Sequence, residues 1–400
     1  MAFDIDALLQ EARRRAGGPD DFGAADFRPA LQALLQALDG QARLSAVGRQ
    51  LLHERIVELL RNRLLVEDHF RRLPEIAAEE IRSPLVIVGL PRTGTTLLQR
   101  ILGCDARLYP LLWWETRFPV PLPAPETSAQ AMPGAALDPR IERARAEVAA
   151  MLAAMPKLAA IHPLDAEAAD EDGILLEHSF CAFFDAYADI PGYTRWLQEH
   201  DPQPAYRHLR RLLQFLQWQK RRRGETASSG RWVLKTPHHL RQLDVLCAVF
   251  PDAQIVQTHR DPLQTIPSIA SFNETLWQIY GEKVDPLRVG RQWSAIFARG
   301  MQRSLEFRAR ESAAGRGGRF HDVWFDDTLR EPLAVVRKLY AFAGLSLPGD
   351  VEGRMQHYLV AHRRETRPAH DYSLEHFGLS TEQIGRDFAA YREAYILSPH

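Results

Sequence analysis

Pro84–Arg100 reads PLVIVGLPRTGTTLLQR. Leu85 to Val88 is a short apolar run rich in β-branched residues, which predicts a buried strand. Gly89 to Gly94 is a tight turn bounded by glycines, and Thr95, Thr96, Leu97 and Leu98 open a helix. A strand that feeds a helix N-terminus through such a turn makes an anion site, because backbone N–H groups converge there and the helix dipole adds to the pull. The spacing is that of a P-loop, G-x-x-x-x-G-K-[ST], with Thr95 at the lysine position and Thr96 at the hydroxyl position. A nucleoside triphosphatase needs that lysine against its outer phosphates. Here the nearby cation is Arg92, inside the loop. The stretch is expected to hold a phosphate-bearing nucleotide without cleaving the β–γ bond of ATP. The fold expected around it is α/β, a P-loop three-layer fold with a central, mostly parallel sheet.

The remainder of the chain limits the partners. With 400 residues, 46% of them hydrophobic and 25% charged, there is ample material for a large core. A formal net charge of -1 gives no bulk basic field, so no nucleic-acid partner is expected. Cys104, Cys181 and Cys247 lie too far apart for metal-ligand spacing or a disulfide framework, and no metal is expected. The start, MAFDIDALLQEARRR, is charged and lacks the apolar core of a signal peptide. No apolar run approaches membrane-spanning length, so there is no transmembrane segment and the expected location is cytoplasmic.

Residues 1–80 read as a helical leader that packs on the core or on a second subunit. Leu31, Leu34, Leu35 and Leu38 fall at helical spacing, and so do Leu51, Ile56, Leu59 and Leu60. Residues 81–400 read as the α/β domain. Trp113 and Trp114 are adjacent and cannot share one helix face, so the choice is between one lining a pocket and both being packed. Residues 139–225 form a helical insertion expected over the C-terminal edge of the sheet, where open α/β folds bind ligands. Its acidic run holds Glu171, Asp172 and Glu177, with His162 upstream. A second strand, Trp232–Leu234, delivers Lys235, His238 and His239 to that edge. A third, around Ile255 and Val256, delivers His259, Arg260 and Asp261, followed by a helix carrying Ser268 and Ser271. Asp261 is read as orienting Arg260 or capping that helix, and Asp326 or Asp327 as capping a later one.

Five pieces in this order resemble the bacterial branch of the PAPS-dependent sulfotransferases, a family with a P-loop superfamily fold. They are VIVGLPRTGTTLLQRIL, VLKTPHHL, IVQTHRDPLQTIPSIAS, VWFDDTLREP and HRRETRPAHDYSLEHFGL, and they span most of residues 83–380. The resemblance implies that Pro91, Arg92, Thr93, Gly94, Thr95 and Thr96 bind the 5′-phosphosulfate end of PAPS, with Arg92 on the bridging oxygen. It implies that Arg260 and Ser268, eight positions apart, hold the 3′-phosphate. Arg364 or Arg367 would be a third phosphate ligand, although RRET lacks the glycine usual in the family's covering loop.

The same resemblance assigns Lys235 to stabilising the sulfuryl group and His239, or else His238, to the base. Glu171 and its neighbouring carboxylates are the competing bases. The product would be PAP, and the acceptor a hydroxyl or amine of a small molecule or lipid. Phe180, Phe183, Phe184, Tyr193 and Trp196 could wall its pocket, form core, or serve a homodimer contact. Two other functions compete: a P-loop small-molecule kinase or nucleotide hydrolase, and a non-catalytic nucleotide-binding module.

Overall fold

Five strands make one sheet in the computed structural model, which describes residues 2–122, 138–156, 164–225, 230–362 and 373–398. They are β1 (Leu85–Gly89), β2 (Leu108–Pro110), β3 (Arg231–Lys235), β4 (Gln254–His259) and β5 (Phe320–Trp324). The order is β2-β3-β1-β4-β5 and every pairing is parallel. β1 is central and buried along its whole length, which explains its continuous apolar run. Leu85 and Ile87 face one side of the sheet, with the helices Thr95–Leu102 and Pro332–Phe342. Val86 and Val88 face the other, with Gln203–Arg222, Leu243–Val249 and Pro286–Ala313. That alternation is the two-residue period of a strand.

The leader is three helices, Ile5–Ala16, Arg28–Gly40 and Ala46–Arg72. Leu31, Leu34, Leu38, Leu59 and Leu60 bury together with Phe180, Phe184 and Tyr193. One expected stripe residue is displaced. Leu51 is exposed, and Leu52 is buried in its place, because positions 52, 56, 59 and 60 share a face at helical spacing.

The insertion is two longer helices, Pro139–Ala154 and Gln203–Arg222, with the short helices Gly173–Leu176, Phe184–Tyr187 and Pro191–Glu199 between them. Trp113 and Trp114 are both packed, with Phe118, Ile141 and Val148. The guanidinium of Arg140 lies 4.6 Å over the Trp114 ring, which supplies the second tryptophan with a cation–π partner. Asp326 and Asp327 do not cap a helix. They lie within the first turn of Phe325–Arg330, which begins after Trp324, and there they favour the helix dipole.

Candidate active site

β1, β3 and β4 end side by side. Ile87 is in register with Lys235, and Gly89 with Thr258. The segments that follow these strand ends therefore meet at one edge, where the order of an open parallel sheet places its ligands.

The loop after β1 is held from below. Thr93 is fully buried, and its hydroxyl lies 2.6 Å from both the Leu90 carbonyl and the Thr258 hydroxyl. A Cβ on Gly89 would stand 2.1 Å from Thr258 Oγ1, so only glycine lets the two strands close here. Arg92 takes φ 69° and Gly94 φ 86°. The left-handed region is natural for glycine and strained for arginine, and such strain collects at ligand clamps. Arg260 reaches across from β4, and its Nη1 donates to the Arg92 carbonyl at 2.8 Å. Its Nε donates to Gln264 Oε1 at 2.9 Å, and its guanidinium lies 4.0 Å over the Phe325 ring. Positions 260, 264 and 268 are spaced one helical turn apart, so buried Ser268 lies on the same side of the helix Pro262–Tyr280 as Gln264.

Lys235 ends β3 with its side chain 1% exposed. Its Nζ meets Glu171 Oε1 at 3.1 Å, and the other Glu171 oxygen accepts from the Thr236 hydroxyl at 3.0 Å. Glu171 keeps 21% of its side chain in solvent. Its neighbour Asp172 is fully buried, accepting from the Lys235 backbone N–H at 2.7 Å and facing His239 Nε2 at 2.7 Å. His239 is also fully buried, and its Nδ1 lies 2.8 Å from the Tyr206 hydroxyl. Both ring nitrogens are thus engaged inside the protein.

His238 faces elsewhere. Arg241 Nη2 can only donate, so His238 Nδ1 accepts from it, at 2.6 Å. Burial, with the charges of Arg241 and His239, pushes its pKa well below the usual histidine range and keeps the ring neutral. Glu177 turns away from the sheet edge and pairs with Arg55 of the leader at 2.6 Å. Arg364, Arg367 and His162 lie outside the described residues. Sequence reading missed Tyr206, which no motif or spacing marks as a partner for a histidine 33 positions away. It also missed Phe325 as the platform beneath Arg260.

The model of the sulfotransferase family matches residues 84–349. The chain belongs to the sulfotransferase family. Among solved structures, this sulfotransferase is similar to STF1 from Mycobacterium tuberculosis H37Rv, with 30% identity, a TM-score of 0.81 and coverage of 97% of this chain and 99% of that one. It is also similar to STF9 from Mycobacterium avium, with 26% identity, a TM-score of 0.85 and coverage of 100% and 99%. A curated relative, the omega-hydroxy-beta-dihydromenaquinone-9 sulfotransferase Stf3 of Mycobacterium tuberculosis, is 28% identical over 199 residues. That match covers 48% of this chain and only 46% of the relative's length.

These likenesses correct the expectation of a P-loop superfamily fold. The matches run to sulfotransferases, with the STF1 and STF9 structures covered almost end to end, so the fold is the sulfotransferase fold. The physical reason is visible in the loop, where Thr95 replaces the lysine that defines the P-loop. Among the described residues no helix is long and apolar enough to cross a membrane, and no group of three or more His, Cys, Asp or Glu side chains could hold a metal ion.

Proposed function

We propose that this enzyme transfers the sulfuryl group of PAPS to a hydroxyl or amine and releases PAP. The observation that carries the reading is the Lys235–Glu171–Thr236 cluster beside the loop Leu90–Gly94. A sulfuryl transfer must neutralise charge growing on the leaving phosphate oxygen and remove a proton from the acceptor. Arg92, Lys235 and the N–H groups at the start of the helix Thr95–Leu102 supply fixed positive charge for the first task. Pro91, Thr93, Gly94, Thr95 and Thr96 shape that seat, while Arg260 and Ser268 take the 3′-phosphate.

For the second task the geometry favours Glu171. It is open to solvent and touches Lys235, whereas His239 has both nitrogens engaged in a closed interior and His238 accepts from Arg241. In this reading Asp172, His239 and Tyr206 form a buried brace that fixes the backbone of Lys235. The insertion of residues 139–225 and the leader then shape the acceptor pocket. A metal is unnecessary to this chemistry, since no outer polyphosphate must be neutralised.

The test is a binding panel of PAP, PAPS, ADP and ATP with and without magnesium, followed by radiolabelled sulfuryl transfer to hydroxyl and amine acceptors. Tight, metal-independent PAP binding with transfer is the expected result. Magnesium-dependent preference for ATP would overturn the reading.

A further inference from the structure

Beside the Lys235–Glu171–Thr236 cluster, a cleft opens between the segment that follows β3 and the long helix Pro286–Ala313, with the end of Pro191–Glu199 on its other side. It holds about 420 Å³, its open mouth included, which gives room for one end of a small molecule. His238 and Arg241 line it from the β3 side, Gln198 from the insertion, and Arg299, Gly300 and Arg303 from the long helix. The Thr236 hydroxyl ties this wall to Glu171: it donates to Glu171 Oε2 at 3.0 Å and accepts the His238 N–H at 3.3 Å.

Three guanidiniums share the cleft, and among the described residues no carboxylate lines it. Arg241 Nη2 donates to neutral His238 Nδ1 at 2.6 Å, and Arg299 Nη1 to the neutral Gln198 Oε1 at 2.5 Å. Two carboxylates stand behind them, Asp185 at 4.0 Å from Arg241 and Asp244 at 3.7 Å from Arg303, both beyond hydrogen-bond distance. Burial pushes the Asp185 pKa up, and Asp244 is 43% exposed, so both are weak counter-charges. Arginines elsewhere are answered more closely: Arg107 and Arg308 each meet a carboxylate at 2.7 Å.

The deepest of the three is held by packing. A Cβ on Gly300 would stand 2.9 Å from Arg241 Cγ, so glycine lets the Arg241 stem lie against the helix. Arg241 is mostly buried, Arg303 half-buried and Arg299 exposed, so the donors run from the interior to the mouth. Arg299 and Arg303 stand one helical turn apart on one face. Like charges gathered in a cleft repel one another and focus a field that an anion relieves.

We infer that this cleft binds an oxyanion, a phosphate, sulfate or carboxylate, between Arg241, Arg299 and Arg303. The site is separate from the phosphate seats proposed at Arg92 and Arg260, and it does not rest on the sulfuryl-transfer reading. Its occupant is either a free anion or the charged end of the acceptor.

The experiment titrates inorganic phosphate by calorimetry into the full chain carrying one equivalent of PAP, with ionic strength matched by sodium chloride. Arg303→Gln and Arg299→Gln each remove a charge from the cleft, and Arg291→Gln removes one from an exposed position of the same helix outside it. The unsubstituted protein is expected to bind phosphate above the chloride background. Each cleft variant should weaken that binding at least about tenfold, with the thermal midpoint kept, and Arg291→Gln should leave it within about twofold. Absence of phosphate binding, or equal losses in all three variants, overturns the inference. Transfer to ω-hydroxy acids of graded length and to their methyl esters then separates the two sources. A preference for the acids that Arg303→Gln abolishes assigns the cleft to the acceptor; equal use of acid and ester, with phosphate still bound, assigns it to a free anion. Phosphate binding that depends on Arg303, without transfer to any probe, supports the cleft and counts against the proposed reaction.

Discussion

Replacing Arg260 by alanine should separate two losses that the structure predicts to be unequal. The first is common to all nucleotides. Arg260 Nη1 donates to the carbonyl of Arg92, a residue held in the left-handed region, so its removal loosens the loop that any 5′-phosphate would meet. One hydrogen bond of this kind contributes about 1 kcal/mol, or roughly fivefold in affinity. The second loss falls only on nucleotides with a 3′-phosphate. A charge-assisted contact there contributes about 1.5–3 kcal/mol, or roughly 10- to 150-fold. PAP should therefore weaken by the product of the two factors and ADP by the first alone. Titration calorimetry of both nucleotides against both proteins measures the ratio directly. Circular dichroism checks that the sheet survives, since Arg260 is only half-buried. Equal weakening of PAP and ADP would refute the placement of the 3′-phosphate at Arg260, and the donor assignment with it.

Glu171→Gln should lower the transfer rate by roughly 10²- to 10⁴-fold, the usual range for a general base, with PAP affinity within about twofold; a rate within tenfold of the unsubstituted enzyme would return the base to a histidine. Tyr206→Phe should destabilise the fold by about 1–3 kcal/mol in urea melts, because a ring nitrogen of fully buried His239 loses its partner; an unchanged midpoint would mean that the brace is not under tension. Acid should destabilise the protein before its carboxylates titrate. Burial holds the pKa of His178 at about 3 and pushes those of His208 and His238 well below the usual range, so near pH 6 the unfolded chain takes up protons that the native state refuses. Stability is then fully present above about pH 6.5 and falls with decreasing pH, by up to about 1.4 kcal/mol per pH unit for each such group. Denaturant melts from pH 7.5 to 5 that show no downward trend would contradict the neutral assignment.

What was legible in the sequence is the set of short-range signals. The strand–turn–helix at Pro84–Arg100 could be read because a continuous apolar run, two glycines and three threonines lie within one short stretch. Lys235 and Arg260 could be placed at a strand end for the same reason. The placement of Leu51 failed because Leu51 and Leu52 are both leucine, and only tertiary packing decides which one turns inward. The aromatic residues of the insertion show the same limit. Phe180, Phe184 and Tyr193 are core against the leader helices, while Phe183 and Trp196 stay partly open. Periodicity cannot sort them, because the insertion is broken into helices of four to nine residues between its long flanking helices. The proposed preference for a carboxylate over a histidine likewise rests on burial, which composition does not carry. His238 and His239 look equivalent on paper, yet one accepts from Arg241 and the other lies between Asp172 and Tyr206.

The three consecutive residues after Thr258 extend that argument to the C-terminal end of the described chain. His259 is buried with its ring stacked 4.2 Å from Tyr395, its Nδ1 3.2 Å from the Tyr391 hydroxyl and its Nε2 2.8 Å from Asp322. Asp261 caps the helix Pro262–Tyr280 through the Leu263 N–H and takes a two-pronged contact from Arg392, 3.1 Å at each oxygen. Both flanking residues are therefore fastened to the helix Ala389–Tyr395, and the residue between them is the one that reaches the Arg92 carbonyl. An arginine side chain has several rotatable bonds, and fixing its backbone on both sides reduces what a phosphate must order when it binds. The C-terminal helix thus bears on the proposed 3′-phosphate contact by holding the two neighbours of Arg260 in place.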